Sequence, residues 1–432
     1  MDWKAFGFQD DPLQTSPVRK LTLDLFTGHN EELNLCQRVL NGHNVRLVIE
    51  GARGVGTTSF SNYLRFNAET QKKYFTPQTE IKVEQGWRLE TLLAAIISNF
   101  IREIELLGQN EAILLDNRFK NAKALSARIS ETYRSFGVDA FGFGGSYSTH
   151  PGAVTQPVIV PSSTLGHHLE DLIQLVQSFG YTHGALFQLN NLDIGEIHSE
   201  HEMKYMLNAL RDYTQIKGSN WIFVGDRGLR KFMAQHVDRL DDIISYEVSL
   251  NPIAVADLPE IINRRVNFFR ESPKVELPIE EDVFTYLYHI TQGRLRYVFG
   301  LVSRLLNRLH VGALTDRITL DLAKPMLVVL GRDRVRRADI TPNEEYILSH
   351  LVANSAYSGE FERQFWFYPN GRSGLIRTVN PVLSERGFWF NSNTNQREAN
   401  SPILSHFFTP SLFVISVVSC KGPSMFFCLV FS

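Results

Sequence analysis

The residues with the clearest chemical signature lie in GARGVGTTSF, residues 51–60. Their glycines and Thr58 fit the frame G-x-x-x-x-G-K-[ST], in which backbone N–H groups converge on nucleotide phosphates and the hydroxyl ligates Mg²⁺. The lysine of that frame reaches the β- and γ-phosphates, and Thr57 stands in its place. The pattern predicts a phosphate cradle without its mobile cation, formed by Gly51, Arg53, Gly54, Val55, Gly56, Thr57, Thr58 and Ser59.

Two interpretations of this loop stay open at the level of sequence. Arg53 lies within the loop and could replace part of the missing positive charge. Alternatively, the stretch is a glycine-rich turn between a strand and a helix and binds no ligand.

Polar residues follow two apolar runs further along the chain, ALFQLNNLD (185–193) and NWIFVGD (220–226). A strand that ends in two acids would present one carboxylate to Mg²⁺ and a second to the attacking water. The first run ends in Asn190 and Asn191, and an asparagine is too weak a base to accept a proton from water. Asn190, with Thr58, is therefore a candidate Mg²⁺ ligand. The candidate catalytic residues are Asn191, Asp193 and Asp226, for which turn-forming roles at strand ends are the alternative.

An arginine at the start of a later helix is a further candidate phosphate contact. In GRLR, residues 293–296, Arg296 is the candidate that folds over bound phosphates and responds to the nucleotide, with Arg294 second. A solvent-facing arginine on an amphipathic helix is the alternative, because most arginines are exposed.

The elements that must position these residues alternate between strand and helix. Apolar runs and helical periodicity predict strands at 45–50, 185–193 and 220–226, and helices at 58–66, 89–107, 165–180 and 198–217. Strands that alternate with helices of this length predict an α/β fold, with a parallel sheet covered by helices on both faces. A Gly-, Ser- and Pro-rich stretch at 136–161 is predicted to be an insertion in this core.

The C-terminal half is predicted to form a helical lid at 251–335 and a winged helix-turn-helix-like domain at 336–395. The second domain is expected to contain two helices, a turn at Gly387 and an extended aromatic stretch. DNA phosphates could be contacted by basic residues of 332–337 and of the second helix, 372–377: Arg332, Arg334, Arg336, Arg337, Arg372 and Arg377. A solvated basic linker is the alternative for the first group.

The amino-acid composition limits the possible partners and the cellular setting of the protein. A net charge of −2 gives no global attraction to nucleic acid, and three cysteines fit a reducing, cytoplasmic setting. Residues 1–20 are a turn-rich segment rather than a signal peptide. Residues 396–432 form an irregular apolar tail, which prolines and a lysine interrupt, so no membrane span is expected.

Taken in order, these motifs resemble those of the AAA+/STAND P-loop ATPases, especially the origin-recognition-like branch. FTGHNEEL resembles the G-R-x-x-E-L box of that group, with His29 in the arginine's place, and Pro252 matches its apolar-proline segment. The resemblance covers about residues 20–390. It implies a P-loop NTPase core at 21–250 and ATP or ADP, with Mg²⁺, between core and lid. It also implies a homo- or hetero-oligomer, for which Arg230 or Arg239 would be the arginine finger.

Three departures from the family pattern bear on activity. The positions of the Walker A lysine, the metal-binding acid and the catalytic acid hold Thr57, Asn190 and Asn191. Losing the lysine removes charge-assisted bonds to phosphate, and losing the acids removes the means of orienting metal and water. The sequence therefore predicts a nucleotide-binding switch with weak or absent hydrolysis.

Two other functions stay open. The chain could be a pseudo-ATPase scaffold that kept the fold, lost the ligand and acts as a protein-interaction subunit. It could also be an active ATPase with a rearranged site that uses Arg53 and Asp193. Nucleotide affinity separates the switch from the scaffold, and turnover separates both from the active enzyme.

Overall fold

The structure is a computed structural model of the chain. It describes residues 1–107, 111–135, 160–194, 197–309, 317–337, 365–370, 373–378 and 428–429. The chain divides into two compact units. The core unit comprises Gln14–Phe269 with Arg294–Arg296, and the second unit comprises Met1–Leu13, Arg270–Gly293 and Tyr297–Ser432.

An all-parallel sheet of five strands runs through the core unit. In spatial order the strands are β2 (Ile81–Lys82), β3 (Ala185–Asn190), β4 (Ser219–Gly225), β1 (Arg46–Gly51) and β5 (Tyr246–Leu250). The predicted strands at 45–50, 185–193 and 220–226 are confirmed as β1, β3 and β4. Strands β3 and β4 are buried along their whole length, as expected of central strands covered on both faces.

Alternate residues of the strands contribute to two separate apolar clusters. Leu47 of β1 belongs to a cluster with Phe60, whereas the next residue, Val48, belongs to a cluster with Phe187 and Trp221. Because successive strand residues point to opposite faces, the clusters lie on the two sides of the sheet. Full burial of such a side chain contributes about 1.5–3 kcal/mol, so these clusters hold the sheet in place.

Helices surround the sheet in the core unit. In chain order they are α1 (Asn30–Val39), α2 (Thr57–Thr70), α3 (Leu89–Leu107), α4 (Glu111–Leu115), α5 (Asn117–Ser135), α6 (Ser162–Ser178), α7 (Glu200–Thr214), α8 (Leu229–His236), α9 (Asp238–Asp241) and α10 (Leu258–Phe269). The four predicted helices are confirmed as α2, α3, α6 and α7. Helix α7 begins where the sequence signals it, because Ser199 and Glu202 form a reciprocal capping box.

The edge strand β5 has only a weak signal in the sequence. Val248 and Leu250 are buried, while Glu247 and Ser249 between them are exposed, so the run is short and half polar. It is a strand because it pairs in parallel with β1, from Leu47↔Tyr246 onward. This pairing encloses β1 between two neighbours and fixes the surroundings of the glycine loop that follows it.

The second unit is helical in its central described part, with α11 (Glu281–Ile290), α12 (Leu295–Arg308, from Tyr297 on) and α13 (Leu320–Arg337). Phe8 forms an antiparallel bridge with Arg270, and Phe6 and Phe8 are buried, so the turn-rich N-terminal segment begins with a packed stretch. Helix α10, which the sequence assigned to the lid, belongs to the core unit.

One predicted helix near the C-terminus is wrong. Phe365–Asn370 and Ser373–Thr378 form strands β6 and β7, and β8 (Cys428–Leu429) pairs with β6, all antiparallel. Arg377 therefore lies in a strand, and Arg372 lies outside the described residues. The physical reason is the hairpin pattern: Asn370 pairs with Ser373, which leaves a Gly-containing pair of residues between two runs of strand-forming type.

Other predicted features fall largely outside the described residues. The insertion at 136–161 is described only at 160–161, the winged-helix-like region only in α13, β6 and β7, and the tail at 396–432 only at 428–429. The basic residues 332–337 lie in the last turns of α13. No helix among the described residues meets the length and hydropathy needed to cross a membrane.

Candidate phosphate-binding site

The glycine loop joins the carboxyl end of β1 to the start of α2. Gly54 and Gly56 have φ values of 93° and 111°, which side chains rarely adopt. A Cβ atom on Gly51 would stand 2.8 Å from the Thr57 methyl and 3.1 Å from the Leu250 carbonyl oxygen. Glycine is therefore required at all three positions, twice by backbone conformation and once by close approach.

Donors of the loop and the first helical turn are available for an anion. The N–H groups of Gly54, Gly56, Thr57 and Thr58 donate to no backbone carbonyl within the described chain. Nothing stands within 4 Å of the place where a Cβ on Gly56 would be. Free N–H groups and the positive end of the helix dipole make such a terminus an anion site, and α2 has 14 residues. The loop also lies at the carboxyl edge of the sheet, where α/β folds bind ligands.

The residues around the donors have mainly packing roles. The Val55 side chain is buried, and its N–H donates to the Ala52 carbonyl at 3.1 Å. The Ser59 hydroxyl accepts from the N–H of Val18 at 3.2 Å, and Asn62 donates to the Val18 carbonyl at 2.8 Å. The segment that precedes α1 is therefore tied to the first two turns of α2.

The predicted sensor arginine meets the loop through its main chain. The N–H of Arg296 donates to the Gly54 carbonyl at 3.4 Å, and the Arg296 side chain is exposed. Arg294 is buried, and Arg53 is exposed. The structure thus brings the main chain of Arg296 to the glycine loop by a long backbone hydrogen bond, and the contact of its side chain with phosphate stays a prediction.

A chain of buried amides leads from β3 to the loop. Gln188 Nε2 donates to Asn190 Oδ1 at 2.9 Å, and Asn190 Nδ2 donates to Thr58 Oγ1 at 3.3 Å. The two amide residues are 2% and 4% exposed, respectively. The structure therefore brings together the two predicted metal ligands, Asn190 and Thr58, with an N–H group between them. Gln188 is absent from the predicted site, although a glutamine inside an apolar strand was a visible signal.

Asn191, next to this chain, is held by its backbone. It has a φ of 63°, and its carbonyl oxygen lies 2.9 Å from Nε2 of the buried His198. Burial lowers the pKa of His198, and the carbonyl of Asn191 raises it to a smaller extent. Sequence patterns gave no indication of His198, because the contact depends on how the chain returns after β3.

The carboxylates near the strand ends accept hydrogen bonds from the main chain. Asp193 Oδ1 accepts from the N–H of Asp226 at 2.9 Å, which brings two of the predicted catalytic residues together. Glu50 Oε2 accepts from the N–H groups of Gly228 and Arg230, both at 3.0 Å. Glu50, which the sequence did not single out, therefore caps the start of α8.

The two candidate arginine fingers form ion pairs within the chain. Arg230 pairs with Asp241 and Glu247, and Arg239 lies 3.6 Å from Asp212. The Arg239 side chain is 62% exposed, compared with 29% for Arg230. Arg239 is thus the more accessible of the two.

His29 adds a buried nitrogen beside the first turn of α2. Its side chain is 7% exposed, its ring lies edge-on to Phe60 at 6.0 Å, and Nε2 has no hydrogen-bond partner among the described residues. Burial lowers the pKa of His29, and Glu32 and Asp257 oppose this more weakly.

The donor set does not fit the Mg²⁺ ion that the fold family implies. Mg²⁺ requires octahedral oxygen ligands and usually at least one carboxylate. At the loop, Thr58 Oγ1 instead accepts from an amide N–H, and the neighbouring Asn190 is neutral. No group of three or more His, Cys, Asp or Glu residues suited to a metal occurs in the described segments.

Comparisons with known proteins found similar solved structures at low sequence identity. Neither a protein-family model nor a curated protein matches the chain. Similar solved structures include ORC1 of Aeropyrum pernix in complex with DNA (14% identity, 81% of this chain and 75% of that chain, TM-score 0.41). ORC2 of the same organism in ADPNP–ADP complexes is 13% identical over 83% of this chain and 80% of that chain, with a TM-score of 0.47. Cdc6p of Pyrobaculum aerophilum is 13% identical over 81% of this chain and 80% of that chain, with a TM-score of 0.42.

At these identities the likeness concerns the fold alone. The chain's own geometry defines its fold: a parallel sheet in the order β2-β3-β4-β1-β5, with helices on both faces and a glycine loop between β1 and α2. The described core unit therefore has an α/β fold in which the glycine loop follows the first strand.

Proposed function

We propose that this protein binds the polyphosphate of ATP or ADP at the glycine loop and acts as a nucleotide-responsive switch with little or no hydrolysis. The observation that supports this proposal most directly concerns four N–H groups that have no backbone acceptor in the described chain, those of Gly54, Gly56, Thr57 and Thr58. They stand at the start of a 14-residue helix, where the dipole favours an anion. In the absence of a lysine, these neutral donors provide the attraction.

The backbone of Arg296 supports the switch part of the proposal. Its N–H holds the Gly54 carbonyl, so a loop that adjusts to a bound phosphate would strain or release this bond. Because Arg296 is also the second residue of α12, the bond connects the loop directly to the start of that helix. The exposed guanidinium is free of any such main-chain role and is the proposed phosphate contact.

Slow or absent hydrolysis follows from the side chains at the strand ends. A water molecule needs a group that accepts its proton, and Asn191 cannot do so at neutral pH. Asp193 is the nearest acid in sequence, and one of its oxygens is already bonded to the N–H of Asp226. The active-ATPase alternative would need Asp193 to leave this position.

The test uses opposite charges at the position of the missing lysine. Thr57→Lys should tighten the binding of fluorescent ATP by about tenfold to a hundredfold, because a charge-assisted bond contributes about 1.5–3 kcal/mol. Thr57→Glu should abolish binding, since a carboxylate would occupy the anion site. Thr70→Lys, at the other end of the same helix and about 20 Å away, is the matched control and should change affinity less than twofold.

Three outcomes separate the candidate functions. Binding without detectable phosphate release supports the switch. Equal, negligible affinity in the wild type and in both Thr57 variants supports the scaffold that lost its ligand. Phosphate release at several turnovers per second that disappears in Asp193→Ala supports the rearranged enzyme.

Contact with DNA and assembly into an oligomer remain predictions of the sequence. The basic residues of 332–337 lie at the C-terminal end of α13, where cationic side chains also favour the helix dipole.

A further inference from the structure

We infer that the glycine loop holds its nucleotide as the metal-free polyphosphate, and that Mg²⁺ weakens this binding rather than supporting it. The inference rests on the proposed function and specifies the chemical form of its ligand. It is carried by the amide chain Gln188–Asn190–Thr58 and by the positions of the neighbouring carboxylates.

The direction of the amide chain decides what Thr58 offers to a ligand. Gln188 and Asn190 lie two residues apart on β3 and so share one face of the strand. Gln188 Nε2 donates to Asn190 Oδ1 at 2.9 Å, which leaves Asn190 Nδ2 to donate to Thr58 Oγ1 at 3.3 Å. The Thr58 hydroxyl is an acceptor in this bond, so its own hydrogen is available to a phosphate oxygen.

The same arrangement disfavours a cation. A Mg²⁺ ion beside Thr58 would bind the one remaining lone pair of Oγ1, and it would face an N–H dipole whose positive end points toward the metal. In either orientation of the amide, Asn190 brings no negative charge. A metal-free polyphosphate, in contrast, presents more acceptor oxygens to a site made of donors.

Nearby carboxylates do not compensate within the described residues. Glu50 is bonded through Oε2 to two N–H groups at the start of α8 and through Oε1 to the Ser249 hydroxyl at 3.1 Å. Asp193 Oδ1 is bonded to the N–H of Asp226. Moving either carboxylate to a metal would break these hydrogen bonds to main-chain donors.

The first experiment measures ATP affinity of the full chain in two buffers, one with excess EDTA and one with millimolar Mg²⁺. The expected result is tighter binding in EDTA than in Mg²⁺. Binding that is equally tight or tighter in Mg²⁺ would overturn the inference and leave the proposed function intact. Absence of binding in both buffers would overturn the proposed function itself, and the inference with it.

The second experiment creates the missing acid. Asn190→Asp should weaken binding in EDTA and strengthen it in Mg²⁺, so that the ratio of the two affinities changes at least tenfold in favour of the metal. Asn251→Asp is the matched control: it adds the same charge at the carboxyl end of β5, is exposed, and keeps an acceptor for Arg227. Its affinity ratio should stay at the wild-type value, and an equal change in both variants would contradict the inference.

Thr58→Ala gives a third measurement that does not depend on a buried new charge. If the hydroxyl donates to phosphate, its removal should lower affinity by a similar factor in EDTA and in Mg²⁺. A loss of affinity that occurs only in the Mg²⁺ buffer would mean that Thr58 is a metal ligand, and the inference would be wrong. Circular dichroism spectra matching the wild type establish that each variant is folded.

Discussion

Asn190 shows how much a single residue decides in this site. An amide and a carboxylate have nearly the same shape, but only the amide can donate to Thr58 Oγ1, and it does so from a position where it is 4% exposed. Its Oδ1 accepts from Gln188 Nε2, while Gln188 Oε1 has no hydrogen-bond partner among the described residues. The amide at this position therefore places a donor, and no negative charge, beside the Thr58 hydroxyl.

His29 leads to a prediction on pH at the same scale. Burial lowers its pKa from the ordinary value of 6.5 in the folded state. When the pH falls through about 6.5, the unfolded chain therefore takes up a proton that the folded chain resists, and the free energy of unfolding decreases. His29→Asn removes this titration and suits the left-handed backbone at φ 56°. The stability lost between pH 7.5 and pH 5.5, measured by urea unfolding, should be smaller in the variant.

The exposed His201 on α7 provides the control for this measurement. His201→Asn should leave the difference between the two pH values close to that of the wild type. An equal reduction in both variants would mean that His29 does not titrate as its burial implies.

At the scale of elements, α2 is fixed to the sheet by a buried arginine as well as by apolar packing. The Arg65 side chain is 1% exposed and donates to the carbonyls of Pro77 and Gln78 and to Thr76 Oγ1. Burial lowers its pKa to about 10, which still leaves the guanidinium charged at neutral pH. Helix α2, which follows the glycine loop, is thus bonded to the segment that leads into β2.

Replacement of this arginine should destabilise the protein strongly. Arg65→Met leaves two carbonyls without donors and removes one of the two cations near the Glu80 carboxylate, and we expect a loss of about 3–5 kcal/mol. Urea unfolding followed by circular dichroism measures the change. Arg38→Met, on the exposed side of α1, should alter stability by less than about 0.5 kcal/mol. Similar losses in both variants would contradict the bonding role of Arg65.

At the scale of the whole molecule, the core unit contains everything that a folded domain needs. All residues of the two apolar clusters on the sheet fall between Leu33 and Leu250. Helix α10 adds contacts with earlier parts of the same unit: Arg265 donates to the Gln14 carbonyl at 2.8 Å, and Glu260 accepts from Thr27 at 3.2 Å. The unit therefore extends past the boundary at residue 250 that the sequence suggested.

This extent can be tested with two fragments. Gln14–Phe269 should fold alone and unfold in one cooperative urea transition. A fragment that stops at Leu250 lacks α10, whose buried Leu258 and Ile261 each contribute about 1.5–3 kcal/mol when fully covered, so it should be less stable by about 2 kcal/mol or more. If the two fragments had equal midpoints of urea unfolding, the boundary of the core unit would lie at residue 250.

Local patterns in the sequence determined the central strands, the main helices and the glycine loop. A short apolar run such as ALFQL, bounded by turn residues, favours a strand covered on both faces, and Gly54 and Gly56 mark a turn whose backbone conformation other residues rarely adopt. The absence of a lysine at Thr57 and of an acid at Asn190 was equally plain, because it needs no knowledge of contacts.

The tertiary structure alone decided which groups meet. Asn190 and Thr58 are 132 residues apart, and Glu50 and Arg230 are 180 apart, so their hydrogen bonds depend on the order of the strands. Strand β5 is a further case, because its alternating polar residues form a strand by pairing with β1. Pairing between distant segments is a property of the assembled sheet, and no local periodicity encodes the partner.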